Sequence, residues 1–340
     1  MTDLAYPVHR SHRTAPIGDV LRRTWSQVEV RRALQLLLAA IWLIDGVLQL
    51  QAVFFTKSFG TQMIAPMSAG VPGFLGHSIT WSGAHIASDA QLANAVFAAI
   101  QILLGLGIAW RPTLRWTLLA SIAWSIGVWW IGEGLGGVTN GGADPVNGAP
   151  GAVILYALLA VLLWPREQEA GSTSPFVAAM AIGANWARAL WLVLWGSFAY
   201  FAVAGTNSAS QGLHDLIAGE ADGEPGWIAW LDRNAASPIS HDGLTISIVL
   251  AVLLAIVALG VYLPARYVNP TLVLAIVLSL AFWVIGENFG ALLAGGATDV
   301  NSGPLLVLLA VAYWRDQRQS ATTSRSSASG GEPTLLAEGV

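Results

Sequence analysis

The chain has 340 residues, of which 55% are hydrophobic and only 11% charged, with a net charge of −4. Soluble domains carry about 25% charged residues, so this composition excludes an ordinary soluble domain and points to a protein of the lipid bilayer. The lack of cysteine excludes a disulfide framework, a thiolate metal site and a redox dithiol, and nothing in the charge balance suggests a nucleic-acid partner.

Residues 1–31 are polar and arginine-bearing, with no apolar core behind Met1; unlike a signal peptide, they read as a cytoplasmic tail. Eight apolar runs follow, over 33–54, 91–110, 116–135, 150–164, 177–204, 244–263, 270–293 and 303–314. Six are long enough to cross a hydrocarbon core of about 30 Å, and the fourth and eighth are short. An all-α integral membrane protein of eight transmembrane helices is expected. Fourteen arginines would then lie on the side of the N-terminus, leaving Lys57 and Arg233 on the other. By the positive-inside rule both termini are cytoplasmic in a cell membrane. The tail from 316 is rich in Ser, Thr and Gly and is expected to be disordered.

One stretch occurs twice. WWIGEGLGGVTNGGADPVNGAP (129–150) matches WVIGENFGALLAGGATDVNSGP (283–304) at a constant offset: Trp129 with Trp283, Glu133 with Glu287, Asn147 with Asn301, Pro150 with Pro304. GVPGFL at 70–75 returns as GEPGWI at 223–228. These matches predict two parallel four-helix repeats, 32–164 and 177–315, joined by a cytoplasmic linker at 165–176, and related by an axis along the membrane normal. Each has a long outer loop, 55–90 or 205–243, whose apolar residues (Phe74, Leu75, Ile79, Trp81; Trp227, Ile228, Trp230, Leu231) suit short amphipathic helices, either lids or interfacial anchors.

Glu133 and Glu287 close the third and seventh runs, and the Gly-rich stretches behind them precede short helices. Such stretches are expected to re-enter the protein, because irregular backbone at membrane depth is tolerated only when buried in protein or lining a wet cavity. Asp144, Asn147, Asp299 and Asn301 would cap the short helices or line that cavity. Asp45, an acid in mid-span with Gln49 and Gln51 behind it, faces Phe201 in the alignment of the two halves, so it suits a proton site or a hydrogen bond to Gln. Gln101 is a further intramembrane polar group with no evident partner. Trp129 and Trp283, with Trp124, Trp130, Trp191 and Trp195, either line an apolar cavity or pack between helices. The outer His77, His85, His214 and His241 match no metal-ligand spacing and read as solvated. Neither a metal nor a cofactor is implied.

ILLGLGIAWRPTLRWTLL (102–119), the arginine-free first span and the long outer loop resemble DoxX-type four-helix membrane proteins. That resemblance implies a quinone-linked redox subunit. The GEGLGG…NGAPGAV and GENFG…NSGP pair is similar to duplicated membrane proteins of actinobacteria and implies no particular activity. From the residues themselves, two functions stand. The first is a transporter of a small cationic or polar solute through an outward acidic site of Glu133, Glu287, Asp144, Asn147, Asp299, Asn301, Asp45, Trp129 and Trp283. The second is an intramembrane enzyme, similar in kind to membrane terpene cyclases, with Asp45, Glu133 or Glu287 as general acid on an isoprenoid. A membrane-protein partner or a second copy of the chain would fit either.

Overall fold

The computed structural model describes residues 26–166, 174–240 and 242–315, and every regular element among them is helical. The expected tails at 1–25 and 316–340, most of the linker, and His241 lie outside the described residues.

The N-terminal half holds α1 (Gln27–Leu48), α2 (Gly73–Ser88), α3 (Ala90–Ala109), α4 (Leu114–Ile131) and the short α5 (Ala152–Leu162). The C-terminal half holds α6 (Ala184–Phe201), α7 (Gly212–Glu220), α8 (Gly226–Ala236), α9 (Gly243–Gly260), α10 (Ala265–Ala281) and the short α11 (Ser302–Ala312). Each of the eight apolar runs holds a helix, with ends displaced by between one and twelve residues. Four of them are long and apolar enough to cross a membrane: α3, α4, α9, and α10 with its π-helical extension to Gly286. The exteriors agree, since α9 exposes Ile248, Val249, Val252, Ile256 and Leu259, a face that would be unfavourable in water. This is a membrane protein.

Helix order follows from the inward stripes. Leu34, Leu38, Ile41, Trp42 and Asp45 recur at three- and four-residue spacing on α1 and are all buried, so one face packs on α3 while the other stays apolar and exposed. α4 packs on α5, α6 on α9, and α10 on α11. The short helices lie at the centre and touch one another, and eight of the eleven residues of each are buried. At 11 residues each they span about 16 Å, and protein rather than lipid surrounds them.

At the ends of α4 and α10 the backbone is unusual in the same way twice. Glu133 N–H donates to Val128 O at 3.1 Å and Glu287 N–H to Phe282 O at 2.9 Å, each a five-residue turn. The chain then turns left-handed at Gly134, Leu135, Gly136 and Gly137, and again at Asn288, Phe289, Gly290 and Ala291. Left-handed conformation costs a non-glycine residue roughly 1–2 kcal/mol, so the second turn, with three such residues, carries more strain than the first.

Two side chains, Gln51 and Asn207, tie the halves together just beyond these turns. Gln51, just after α1, accepts from Gly296 N–H at 2.8 Å and donates to Ala297 O at 2.8 Å. Asn207, just after α6, donates through Nδ2 to Asp144 Oδ2. Each half thus holds the Gly-rich segment of the other.

Candidate functional site: an acidic cavity under the outer loop

A cavity of about 410 Å³ lies in the N-terminal half, within the roughly 300–1,000 Å³ typical of small-molecule sites. Its floor is Asp45 and Trp42 of α1, Gln101 of α3, Trp124 and Glu133 of and after α4, and Tyr156 of α5. Its cover comes from the long 55–90 loop, where Phe59, Met63, Ile64 and Met67 sit in helical turns at 59–68 against α2. Thr298 and Asp299 arrive from the Gly-rich segment of the C-terminal half. Three carboxyl groups, Asp45, Glu133 and Asp299, therefore share one mostly apolar space.

Their partners are few. Tyr156 Oη donates to Asp45 Oδ2 at 2.5 Å, and the Tyr156 ring packs 4.4 Å from Trp42. Glu133 Oε1 accepts from Val153 N–H at 3.0 Å, at the N-terminus of α5, where helix polarity favours an anion. Asp299 Oδ1 accepts from Asn301 N–H at 2.7 Å and Oδ2 from Thr298 Oγ1 at 2.9 Å. Asp45 Oδ1, Glu133 Oε2, Gln101 Oε1 and Trp124 Nε1 are buried without any partner, and all four belong to side chains that line the cavity. A buried polar atom left unpaired costs about 1–3 kcal/mol. Four of them around one space describe a site built to be occupied.

Compared with known proteins, the chain matches no family model, no curated protein and no solved structure.

Of the residues expected at the site, Asp45, Glu133 and Asp299 meet in this cavity, and the others do not line it. Glu287 is buried behind it and caps α11, accepting from Gly303 N–H at 3.1 Å and from the Ser302 hydroxyl. The capping role expected of the Asp and Asn residues thus falls largely to the two glutamates. Asp144 holds the turn before α5 by accepting from Val146 N–H at 2.7 Å, beside its bond to Asn207. Asn147 is exposed and donates to Glu220 Oε1 at 3.0 Å, while Asn301 caps α11 through Ser302 N–H at 2.8 Å. Trp129 and Trp283 do not line the cavity either. Their indoles donate to Pro150 O at 2.5 Å and Val300 O at 2.9 Å, pinning the Gly-rich segments to α4 and to the extension of α10. Trp191 and Trp195 are helix packing, fully buried between α6 and its neighbours.

The bond from Asp45 to a glutamine is absent. Its partner is Tyr156, and Gln49 pairs instead with Asn94, whose Oδ1 accepts from Gln49 Nε2 at 2.5 Å. Tyr156 was the residue sequence reasoning passed over. Its signal is a single hydroxyl in the apolar stretch AVILYALLAVL, where the matched stretch of the other half has Ala310. The outer histidines stand apart: His85 stacks on Trp81 and His214 pairs with Asp215 at 2.9 Å. No group of three or more His, Asp or Glu among the described residues is placed to hold a metal by itself.

Since Trp129 holds backbone rather than ligand, Trp129→Phe is expected to lower stability by about 1–2 kcal/mol, the cost of an unpaired buried carbonyl. Ligand affinity should stay within twofold of wild type. Denaturant unfolding in detergent micelles beside ligand titration would check both.

Proposed function

We propose that the protein is a cell-membrane transporter of a small solute with an apolar body and a cationic, amine-like end, bound in the cavity under the outer loop. The arrangement we infer is two parallel four-helix units with eight membrane-crossing or membrane-embedded helices, Gly-rich segments re-entering before α5 and α11, and both termini cytoplasmic. The offset between matched stretches, their matching left-handed turns and the one-sided arginines support it.

One observation carries the choice of solute. Three of the four unpartnered atoms at the cavity are acceptors: Asp45 Oδ1, Glu133 Oε2 and Gln101 Oε1. Acceptors in apolar surroundings need donors, and carboxylates in particular need positive charge. An ammonium group supplies three donors and one charge at once, and the faces of Trp42 and Trp124 add cation–π attraction.

The apolar walls favour a second reading, an intramembrane enzyme or quinone-linked subunit acting on a lipophilic molecule. Phe59, Phe97, Met63 and Ile131 would enclose an isoprenoid, with the Tyr156–Asp45 pair as its proton donor.

The separating experiment is thermal stabilisation of the purified protein in detergent with phenethylamine, its neutral analogue 2-phenylethanol, a short-chain quinone and a prenyl alcohol. A rise in melting temperature with the amine alone, lost in Glu133→Gln, is the expected result. Stabilisation confined to the quinone or prenyl compound would overturn transport of an amine and support lipid chemistry.

A further inference from the structure

The outer end of the C-terminal half holds a second set of polar atoms that the cavity does not use. Asp232 on α8 is completely buried, and neither of its carboxylate oxygens has a hydrogen bond of good geometry, the Asn288 amide being the donor that comes near it. Asn288, in the strained left-handed turn, is 2% exposed; its Nδ2 donates to Glu220 O at 2.7 Å and its Oδ1 is unpartnered. Glu224 contributes a third such group, a buried and unpartnered Oε2. These side chains face one another: the Asn288 amide lies beside both carboxylates, whose charges act on each other and on Glu220. The neighbouring Arg233 is exposed and leaves the oxygens of Asp232 unpaired.

Comparison of the matched stretches sharpens the point. Aligning GVPGFL with GEPGWI places Met67 against Glu220, Val71 against Glu224 and Ile79 against Asp232, and the turn alignment places Gly134 against Asn288. All four positions are non-polar in the N-terminal half and carry oxygen in the C-terminal half. The backbone agrees, since Met67 O approaches Gly134 just as Glu220 O meets Asn288. Ile79 is fully buried where Asp232 is fully buried, so the space exists in both halves and only its chemistry changes. Packing alone gives no reason to put a carboxylate there, because an apolar side chain serves the other half.

We propose that Asp232, Asn288 and Glu224 bind a hard metal cation, calcium or sodium, at the outer face of the C-terminal half. The ligands are all oxygen, the set that hard cations take, and no nitrogen or sulfur ligand that would favour zinc or copper stands among them. Two carboxylates and an amide leave positions for water and balance a doubly charged ion. Bound there, the ion would tie α8 to the left-handed turn. Asn147, reaching Glu220 from the other half, would couple that turn to the start of α5.

The test is the melting temperature of metal-stripped protein in detergent, with CaCl2, MgCl2, NaCl or choline chloride added at constant ionic strength. Wild type should be stabilised by calcium or by sodium, the responding ion identifying the occupant, and not by choline. The response should disappear in Asp232→Asn and in Asn288→Gly. Glycine is well suited to that left-handed turn, so the second variant keeps the test valid if the first fails to fold. No response to calcium or sodium, or a response unchanged in both variants, overturns the proposal. Stabilisation by phenethylamine, retained in Asn288→Gly, shows that failure here leaves the amine cavity standing.

Discussion

Replacing Gly136 with alanine is expected to abolish folded protein. A Cβ at this position would lie 1.8 Å from Pro150 O, 2.2 Å from its carbonyl carbon and 2.8 Å from Gly151 N. All three are backbone atoms, so no side chain can swing away to make room. The conformation is also left-handed, with φ +60°. Strain of that kind costs about 1–2 kcal/mol, but the collision requires the cis Ala149–Pro150 segment to leave the end of α4, and the total should exceed the roughly 4–5 kcal/mol that marks exceptional point mutations. Gly141→Ala separates the two effects. It shares the left-handed conformation, φ +77°, but its Cβ would meet nothing within 4 Å, so it should lose only the strain energy. Size-exclusion profiles of detergent extracts are the measurement: Gly136→Ala should give almost no monodisperse peak and Gly141→Ala a peak close to wild type. Equal profiles would mean that the turn is not packed as described.

The second large effect is expected at Asp45. Asp45→Asn removes a carboxyl group able to carry the charge that an ammonium would pair with, while keeping an oxygen for Tyr156 to donate to, so the protein should fold. Truncating one partner of a buried charge pair typically costs about 2–5 kcal/mol, which puts the loss of phenethylamine affinity at roughly 30-fold or more. Tyr156→Phe should act in the opposite order. It leaves the charge in place and should keep affinity within about tenfold, but strands Asp45 Oδ2 without a donor and lowers stability by about 1–3 kcal/mol. Isothermal titration of the two variants, with thermal melts alongside, distinguishes them. An Asp45→Asn protein that binds the amine as wild type does would place the ligand elsewhere.

The helices were legible because apolar runs of 12–28 residues bounded by Gly, Pro and Arg leave little choice of element, and each run does hold a helix. Asp45 and Glu133 were legible as site residues for a related reason: an acid in an apolar helix is costly and stands out. What the sequence hid was tertiary. Glu287 and Glu133 look alike in their motifs and each closes the start of a short helix, yet only Glu133 also lines the cavity. The cover over the cavity was hidden because Phe59, Met63 and Met67 read as any apolar loop residues. Asp299 belongs to the cavity only because its segment crosses into the other half, and no local pattern announces a crossing. Tyr156 was overlooked because an aromatic in a buried helix is usually packing.

Under the transport reading proposed above, the mutual grip at Gln51 and Asn207 bears on how a solute would get in and out. Transporters made of two similar bundles often work as rockers, each bundle swinging as a rigid body about a central site. Here a swing would tear Gln51 from Gly296 and Ala297, tear Asn207 from Asp144, and pull Asp299 out of the cavity it completes. A molecule clasped in this way is better suited to a fixed frame with a moving hatch. The hatch at hand is the 59–68 turns and α2, whose Phe74 and Trp81 project outward, 75% and 62% exposed, where they could grip the lipid headgroups. If the protein is a transporter, the membrane surface would then, through those two side chains, steady the door.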